Sequence, residues 1–335
     1  MYGLMFRSAA NPIIRLVFAP ILLLFYLQYQ GGDLPILAPM FVVIFLTLMP
    51  SKPPLSLLLK VLLMLFFVSF VVVFLGETLL DSPSGFALFC WSLVFWSYYR
   101  SHQNPKDILS TLTLIVVIIM AVMSKQMGLS VSVLPWLMFE GLGIAIVVTF
   151  LSFVIFPGDQ RDILPDQKSD EPVSVHLALI VFKASAMSLV LVALIGTGSP
   201  QSMLIAITIS SMIKMPIPEQ HRTFSHNRLV TTATGILFTV PVMLLFMLDF
   251  PNWLVLAASL FCGIQLACYA IRCQCRLSIY QLLFTNFTVL TYQIIKNQGV
   301  ESLSAELMRL LAIATAIFIG ALILNLARPL SGKRC

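Results

Sequence analysis

Polar positions are sparse along this chain and fall in short clusters that punctuate long apolar runs. A helix needs about 20 residues to cross a hydrocarbon core of about 30 Å. On that measure the runs predict twelve spans, over 12–29, 35–50, 55–76, 85–99, 108–124, 134–156, 175–195, 200–215, 229–248, 252–270, 278–295 and 307–327. Several sit at the lower length limit, which suits tilted or re-entrant segments. The expected class is an all-α polytopic membrane protein of about twelve transmembrane helices.

Composition points the same way. Hydrophobic residues make up 59% of the chain and charged residues 10%, against roughly 25% charged in an ordinary soluble domain. The six cysteines (Cys90, Cys262, Cys268, Cys273, Cys275, Cys335) lie in or beside apolar spans or at the tail. This placement predicts no disulfides, and a reducing face for Cys273, Cys275 and Cys335. Cys273 and Cys275 lack neighbouring ligands, so no metal site is expected. The sequence carries no nucleotide loop, metal-ligand cluster or nucleophile triad. Neither an enzyme activity nor a cofactor is expected.

Charge sets the orientation. Of the 20 lysines and arginines, a layout with both termini in the cytoplasm leaves Lys125, Lys296 and Arg309 outside and the other seventeen (20 − 3) inside. Basic residues favour the cytoplasmic side, so the net charge of +6 is a topology signal and gives no indication of nucleic acid. The N-terminal apolar stretch lacks a small-residue cleavage site and reads as the first span.

Features recur at a steady offset. Arg15 is matched by Lys183, Met49-Pro50 by Met215-Pro216, Lys60 by Arg228, and Lys125 with Gly128 by Lys296 with Gly299, displaced by 166 to 171 residues. A stripe of small residues, Gly141, Ala145 and Thr149, recurs 171 residues on as Ala312, Ala316 and Gly320. Small side chains let membrane helices approach closely. The expected organisation is a first transmembrane repeat over 1–156, an acidic cytoplasmic linker over 157–174, and a second repeat over 175–335. Six spans per repeat make the repeats parallel, related by a pseudo-two-fold axis along the membrane normal.

Short or proline-interrupted spans at equivalent places in two repeats point to a transport site. Pro35 and Pro39 mark the second span, Pro200 the eighth, and Thr208, Ser210 and Ser211 make the eighth polar. These residues either line a substrate path or belong to merely short helices held by their neighbours, and Asn286 of the eleventh span either lines that path or joins helices by hydrogen bonds. Glu140 is a carboxylate well inside an apolar segment and is the candidate proton-coupling group; a structural partner for Arg309 and a side chain reaching the outer headgroups are the alternatives. Arg15, Lys60, Lys183 and Arg228 would draw anions to an inner mouth, and positive-inside anchoring explains each of them equally well. Thr285 and Thr288 either line a path or join helices. His221 and His226 border the ninth span. Tyr98, Tyr99, Trp136 and Trp253 read as interfacial belt residues, and the Phe-rich runs as lipid-facing or core packing.

The stretch HNRLVTTATG carries a more specific signal. Arg228, then Thr232 and Gly235, following SPQSMLIAITISSMIKMP, resembles the arginine, glycine-threonine and glycine signature of the fusaric acid resistance and aromatic acid exporter superfamily. Thr231 stands where that family usually has glycine, Lys60 has no Gly-Thr after it, and the soluble domain of the longer exporters is absent. The chain looks like a short form of the family. The resemblance implies a bacterial inner-membrane efflux component, a proton antiporter for aromatic or other amphipathic organic acids, working with a periplasmic membrane-fusion adaptor. Its expected partners are the lipid bilayer, a small organic acid, that adaptor and a further copy of the chain. A passive organic-anion channel and a structural subunit of an efflux assembly are the alternatives.

Overall fold

The structure, a computed structural model, describes residues 10–31, 34–49, 51–52, 54–104, 107–126, 131–159, 163, 177–198, 201–214, 218–296 and 301–327. These form α1 (Asn11–Gln30), α2 (Leu37–Leu48), α3 (Leu55–Thr78), α4 (Pro83–Gln103), α5 (Ile108–Lys125), α6 (Leu134–Ile155), α7 (Leu177–Thr197), α8 (Ser202–Lys214), α9 (Pro218–Met247), α10 (Asn252–Arg272), α11 (Leu277–Lys296) and α12 (Glu301–Ala327). No β-strand occurs among the described residues. Seven of the helices are long and apolar enough to cross a membrane: α1, α3, α6, α7, α9, α10 and α12. The regular structure among the described residues is helical, one of the two ways a chain can cross a membrane repeatedly.

Local chemistry sets several boundaries. The Ser82 hydroxyl accepts from the Gly85 N–H and starts α4, and the Asp107 carboxylate accepts from the Ser110 N–H and starts α5. Such caps satisfy N–H groups that have no partner within the helix. Helix α1 stops at Gly31, whose φ of 71° is the left-handed conformation that only glycine adopts freely. The apolar pattern places the starts of α9 and α12 too late, because a helix continues past the hydrocarbon edge into polar sequence such as PEQHRTFSHNR. Helices α2 and α8, of 12 and 13 residues, span only about 20 Å at 1.5 Å per residue.

The described chain gathers into two compact units. Unit 1 comprises Met1–Leu62, Phe139–Lys168 and Arg228–Leu307; unit 2 comprises Leu63–Met138, Ser169–Asn227 and Met308–Cys335. These units and the sequence halves 1–156 and 175–335 divide the chain differently, since each unit takes helices from both halves. Within unit 1, α1 packs on α2, α10 and α11, and α11 packs on α2 and α10. Within unit 2, α4 packs on α5, α7 and α8, and α8 packs on α5 and α7.

Glycines mark the tightest approaches in each unit. In unit 1 a Cβ at Gly263 of α10 would stand 2.7 Å from Val17 of α1, and one at Gly235 of α9 would stand 3.1 Å from Leu290 of α11. In unit 2 a Cβ at Gly76 of α3 would meet the Met120 sulfur of α5, and one at Gly320 of α12 would meet the Met212 sulfur of α8 at 2.7 Å. Hydrophobicity does not drive helices together in lipid, and close van der Waals approach takes its place. The outer faces are apolar as well. Phe67, Phe70 and Phe74 of α3, Leu189 of α7 and Phe318 of α12 are all exposed, as side chains that face lipid are. The second Phe-rich run, FVVIFL of α2, instead carries the buried Val42, Val43, Phe45 and Leu46.

Candidate functional site

In unit 1 the stretch HNRLVTTATG lies on α9 against α11. Thr231, Thr232 and Asn286 are 0%, 0% and 1% exposed. The Asn286 side-chain amide donates to the Thr231 hydroxyl at 3.3 Å and to the Thr232 hydroxyl at 3.1 Å. Both hydroxyls pass their own hydrogens to the Arg228 carbonyl, at 3.2 and 2.8 Å. The three side chains form a connected polar knot, which lowers the cost of placing an amide among apolar helices. Gly235, one turn further on, leaves room for the Asn286 Cβ and Leu290. Arg228 itself is half-buried, and its Nε atom has no hydrogen-bond partner among the described residues. The same holds for the buried Thr288 hydroxyl of α11.

Arg15 of α1, also in unit 1, is 1% exposed. Its Nη1 donates to the Gly158 carbonyl at 2.6 Å, and its guanidinium lies 3.9 Å from the centre of the Phe153 ring. Asn11 donates to the neighbouring Pro157 carbonyl at 2.8 Å. A cation and an amide thus hold the exit of α6, where carbonyls lack helical partners and the helix dipole is negative. Arg15 also borders an apolar groove of about 430 Å³ between α1 and α6, lined by Phe18, Leu22, Tyr26, Leu151 and Ile155.

Among the described residues, unit 2 also holds a buried cation. Lys183 of α7 is 2% exposed and His102 of α4 is 3% exposed, with Lys183 Nζ 3.2 Å from His102 Nε2. His102 Nδ1 lies 2.9 Å from the Tyr98 carbonyl. A carbonyl only accepts, so Nδ1 carries the hydrogen and Nε2 presents its lone pair to Lys183. The Ser101 and Ser110 hydroxyls meet at 2.9 Å, and Lys214 of α8 donates to the Thr111 hydroxyl. Asp107 pairs with Arg100, Oδ2 to Nε at 2.9 Å.

The remaining candidates are dispersed. Pro35 is buried just before α2, and Pro39 is buried in its first turn. Thr208 and Ser210 are each 1% exposed on α8, and the Thr208 hydroxyl has no partner among the described residues. Ser211 turns its hydroxyl back to the Ile207 carbonyl, a bond within its own helix. A Cβ at Gly141 would stand 3.2 Å from Leu37 of α2, and Ala145, Ala312 and Ala316 are buried, as a packing stripe requires. Lys60 is exposed on α3. Pro200, the side chains of His221 and Arg309, and all of the linker except 157–159 and 163 lie outside the described residues.

The structure places Glu140 and Tyr98 on opposite sides of burial. Glu140 is exposed on α6, so the packing of helices does not bury it. One turn of α6 carries its side chain outward while Met138 and Leu142 point in. Tyr98 is not a belt residue either: it is 0% exposed, and its carbonyl receives the His102 bond. Trp136 and Trp253, at 60% and 69%, keep the exposure a belt needs. Sequence reasoning missed His102, Asn11 and Lys214. No signal around His102 in the sequence points to Lys183, 81 positions away. Among the described residues no group of three or more His, Cys, Asp or Glu side chains can hold a metal ion.

Residues 12–152 match a family described as a protein of unknown function, DUF2955. No curated protein and no solved structure matches the chain.

Proposed function

We propose that this chain is a secondary transporter that exports aromatic or other amphipathic organic acids across a bacterial inner membrane, coupled to protons. The observation that carries this reading is the like construction of the two units around a buried cation. Unit 1 packs α1 and α2 with α10 and α11; unit 2 packs α7 and α8 with α4 and α5. Each set is the other shifted by six helices. Arg15 of α1 and Lys183 of α7 take equivalent places and are 1% and 2% exposed. The family match ends at residue 152, near the close of the first six helices.

These features support two parallel six-helix repeats that exchange helices, with a pseudo-two-fold axis along the membrane normal. Duplicated membrane halves around a central site are the architecture of many secondary transporters. The short helices α2 and α8, one per repeat, are the elements we assign to the substrate path. Cations buried in each unit favour an anionic passenger. Both termini lie in the cytoplasm in this reading, and a periplasmic membrane-fusion adaptor receives the substrate.

Cells that express the chain and are loaded with radiolabelled 4-hydroxybenzoate test the proposal. Export predicts faster loss of label than in cells carrying an empty vector, and slower loss once the proton gradient is collapsed. Equal loss in both strains for a panel of aromatic carboxylates would contradict it.

A further inference from the structure

The turn between α10 and α11 holds two thiols that the transport reading does not use. Cys273 and Cys275 stand on either side of Gln274. The Cys275 N–H donates to the Ala270 carbonyl and the Gln274 N–H to the Ile271 carbonyl, each at 3.0 Å. This pair of bonds ends a helix through a residue in the left-handed conformation, and Gln274 fills that position with a φ of 47°. Glycine is the usual residue there, because a Cβ is strained in such a backbone. The turn thus sets one cysteine at the cap of α10 and the other two positions on.

That turn gathers both thiols at one tyrosine. Cys273 lies one helical turn beyond Tyr269 on the same face. The residue after the left-handed position folds back over the last helical turn, which carries Cys275 toward Tyr269 as well. The Tyr269 side chain interacts with both cysteines. Cα atoms two positions apart are at most about 7 Å distant, and two cysteine side chains reach a shared ion across that span. Cys273 is exposed and Cys275 half-buried, so an ion in solution has access to the pair. Arg272 and Arg276 are exposed on its two flanks.

We propose that Cys273 and Cys275 form a binding site for a soft monovalent metal ion of closed shell, of which Cu(I) is the biological example. The site is independent of the transport reading. Thiolates are soft ligands and select soft ions. Zinc takes four ligands in a closed site, and no third His, Cys, Asp or Glu joins the pair among the described residues. The lack of further ligands, which argues against zinc, suits Cu(I) and Ag(I), since both are satisfied by two sulfurs in line. Calcium and magnesium need a set of oxygen ligands. Binding forms two metal–sulfur bonds and breaks two S–H bonds; the sulfur electron pairs go to the metal, two protons pass to solvent, and nothing is oxidised or reduced. Two thiolates and one monovalent cation carry a single negative charge, which Arg272 and Arg276 are placed to balance.

The test uses the full chain with Cys335→Ser, which removes the tail thiol, reduced and kept free of oxygen. Cu(I) is supplied as its coloured complex with bicinchoninate, and transfer to the protein is read as loss of that colour. The site predicts one Cu(I) per chain and an affinity lower by about a hundredfold or more in both Cys273→Ser and Cys275→Ser, because each leaves one thiol where two chelated. Cys262→Ser, at a buried cysteine of the same helix, leaves the affinity within about twofold. Transfer of no Cu(I), or an affinity within about threefold of the parent protein in either serine variant at the turn, overturns the proposal.

Absorption at the copper K-edge of the loaded parent protein reads the ligands directly. Two sulfur neighbours and no others support the pair. A shell of three or four ligands, or one of nitrogen and oxygen, overturns it. If a serine variant fails to fold, the K-edge spectrum of the parent decides the site on its own.

Discussion

Asn286 of α11 donates to Thr232 of α9 at 3.1 Å, and the same amide reaches Thr231 at 3.3 Å. Two hydroxyls at consecutive positions lie a quarter-turn apart on a helix, so one amide can span both only where the helices run close, as Gly235 allows here. Replacing Asn286 with Leu removes both bonds. We expect a loss of about 1 kcal/mol in thermal or denaturant unfolding of the reconstituted protein. Thr232→Val alone costs less, because Thr231 still accepts. The double variant should fall short of the sum of the single losses, since both act on one knot.

The glycines rank by the space a methyl group meets. Gly263→Ala places a Cβ 2.7 Å from Val17 and 3.4 Å from the Phe287 ring, while Gly235→Ala meets the end of Leu290 at 3.1 Å and the Asn286 Cβ at 3.5 Å. We expect Gly263→Ala to destabilise by about 1–3 kcal/mol and Gly235→Ala by less. Val17→Ala combined with Gly263→Ala should recover most of the loss. Equal effects of the two single changes would argue against the α1–α10 approach described here.

Removing an acceptor from a buried cation is costly, and removing both members is not. His102→Leu should destabilise by about 3 kcal/mol, and adding Lys183→Met should return stability to within about 1 kcal/mol of wild type. In unit 1, Arg15→Met should cost about 2 kcal/mol, because it strips a charge-assisted bond from the Gly158 carbonyl. Arg15→Lys should recover only part of that, since an ammonium lacks the planar face laid over Phe153. Unfolding curves for these four variants check both sites.

The loop between α10 and α11 offers a pH-dependent test of topology. Cys273 is exposed, Cys275 is half-buried, and Cys90 and Cys262 are buried. Burial, with Cys273 nearby, holds the Cys275 thiol above its ordinary value. Only the thiolate reacts with a maleimide, so a raised value slows Cys275 near neutral pH and lets it catch up as pH rises. In Cys335→Ser protein, a membrane-impermeant maleimide should label Cys273 first, and only from the cytoplasmic side. Labelling from the opposite side would reverse the proposed orientation.

The helices were legible from apolar length alone. Every predicted span contains a helix, with α9 and α12 extended into polar sequence that a hydropathy reading stops at. Gly141 and Ala145 are both buried on α6, and small residues at a helical spacing let membrane helices approach closely. Side-chain direction was not legible. Glu140 and Met138 sit two positions apart on α6, and only the packed helix decides that one faces out and the other in. Pairing across helices was also hidden: Lys183 and His102 are separated by 81 positions, and nothing in either neighbourhood names the other. Thr231 is the residue that lets Asn286 make its second bond.

The most direct test of the account places purified wild-type protein in liposomes with an imposed proton gradient and follows 4-hydroxybenzoate beside its neutral amide. Export of organic acids predicts saturable, gradient-dependent movement of the acid that the amide does not share. A non-saturating flux indifferent to the gradient, or a rate no greater than in protein-free liposomes across a panel of aromatic carboxylates, would contradict it.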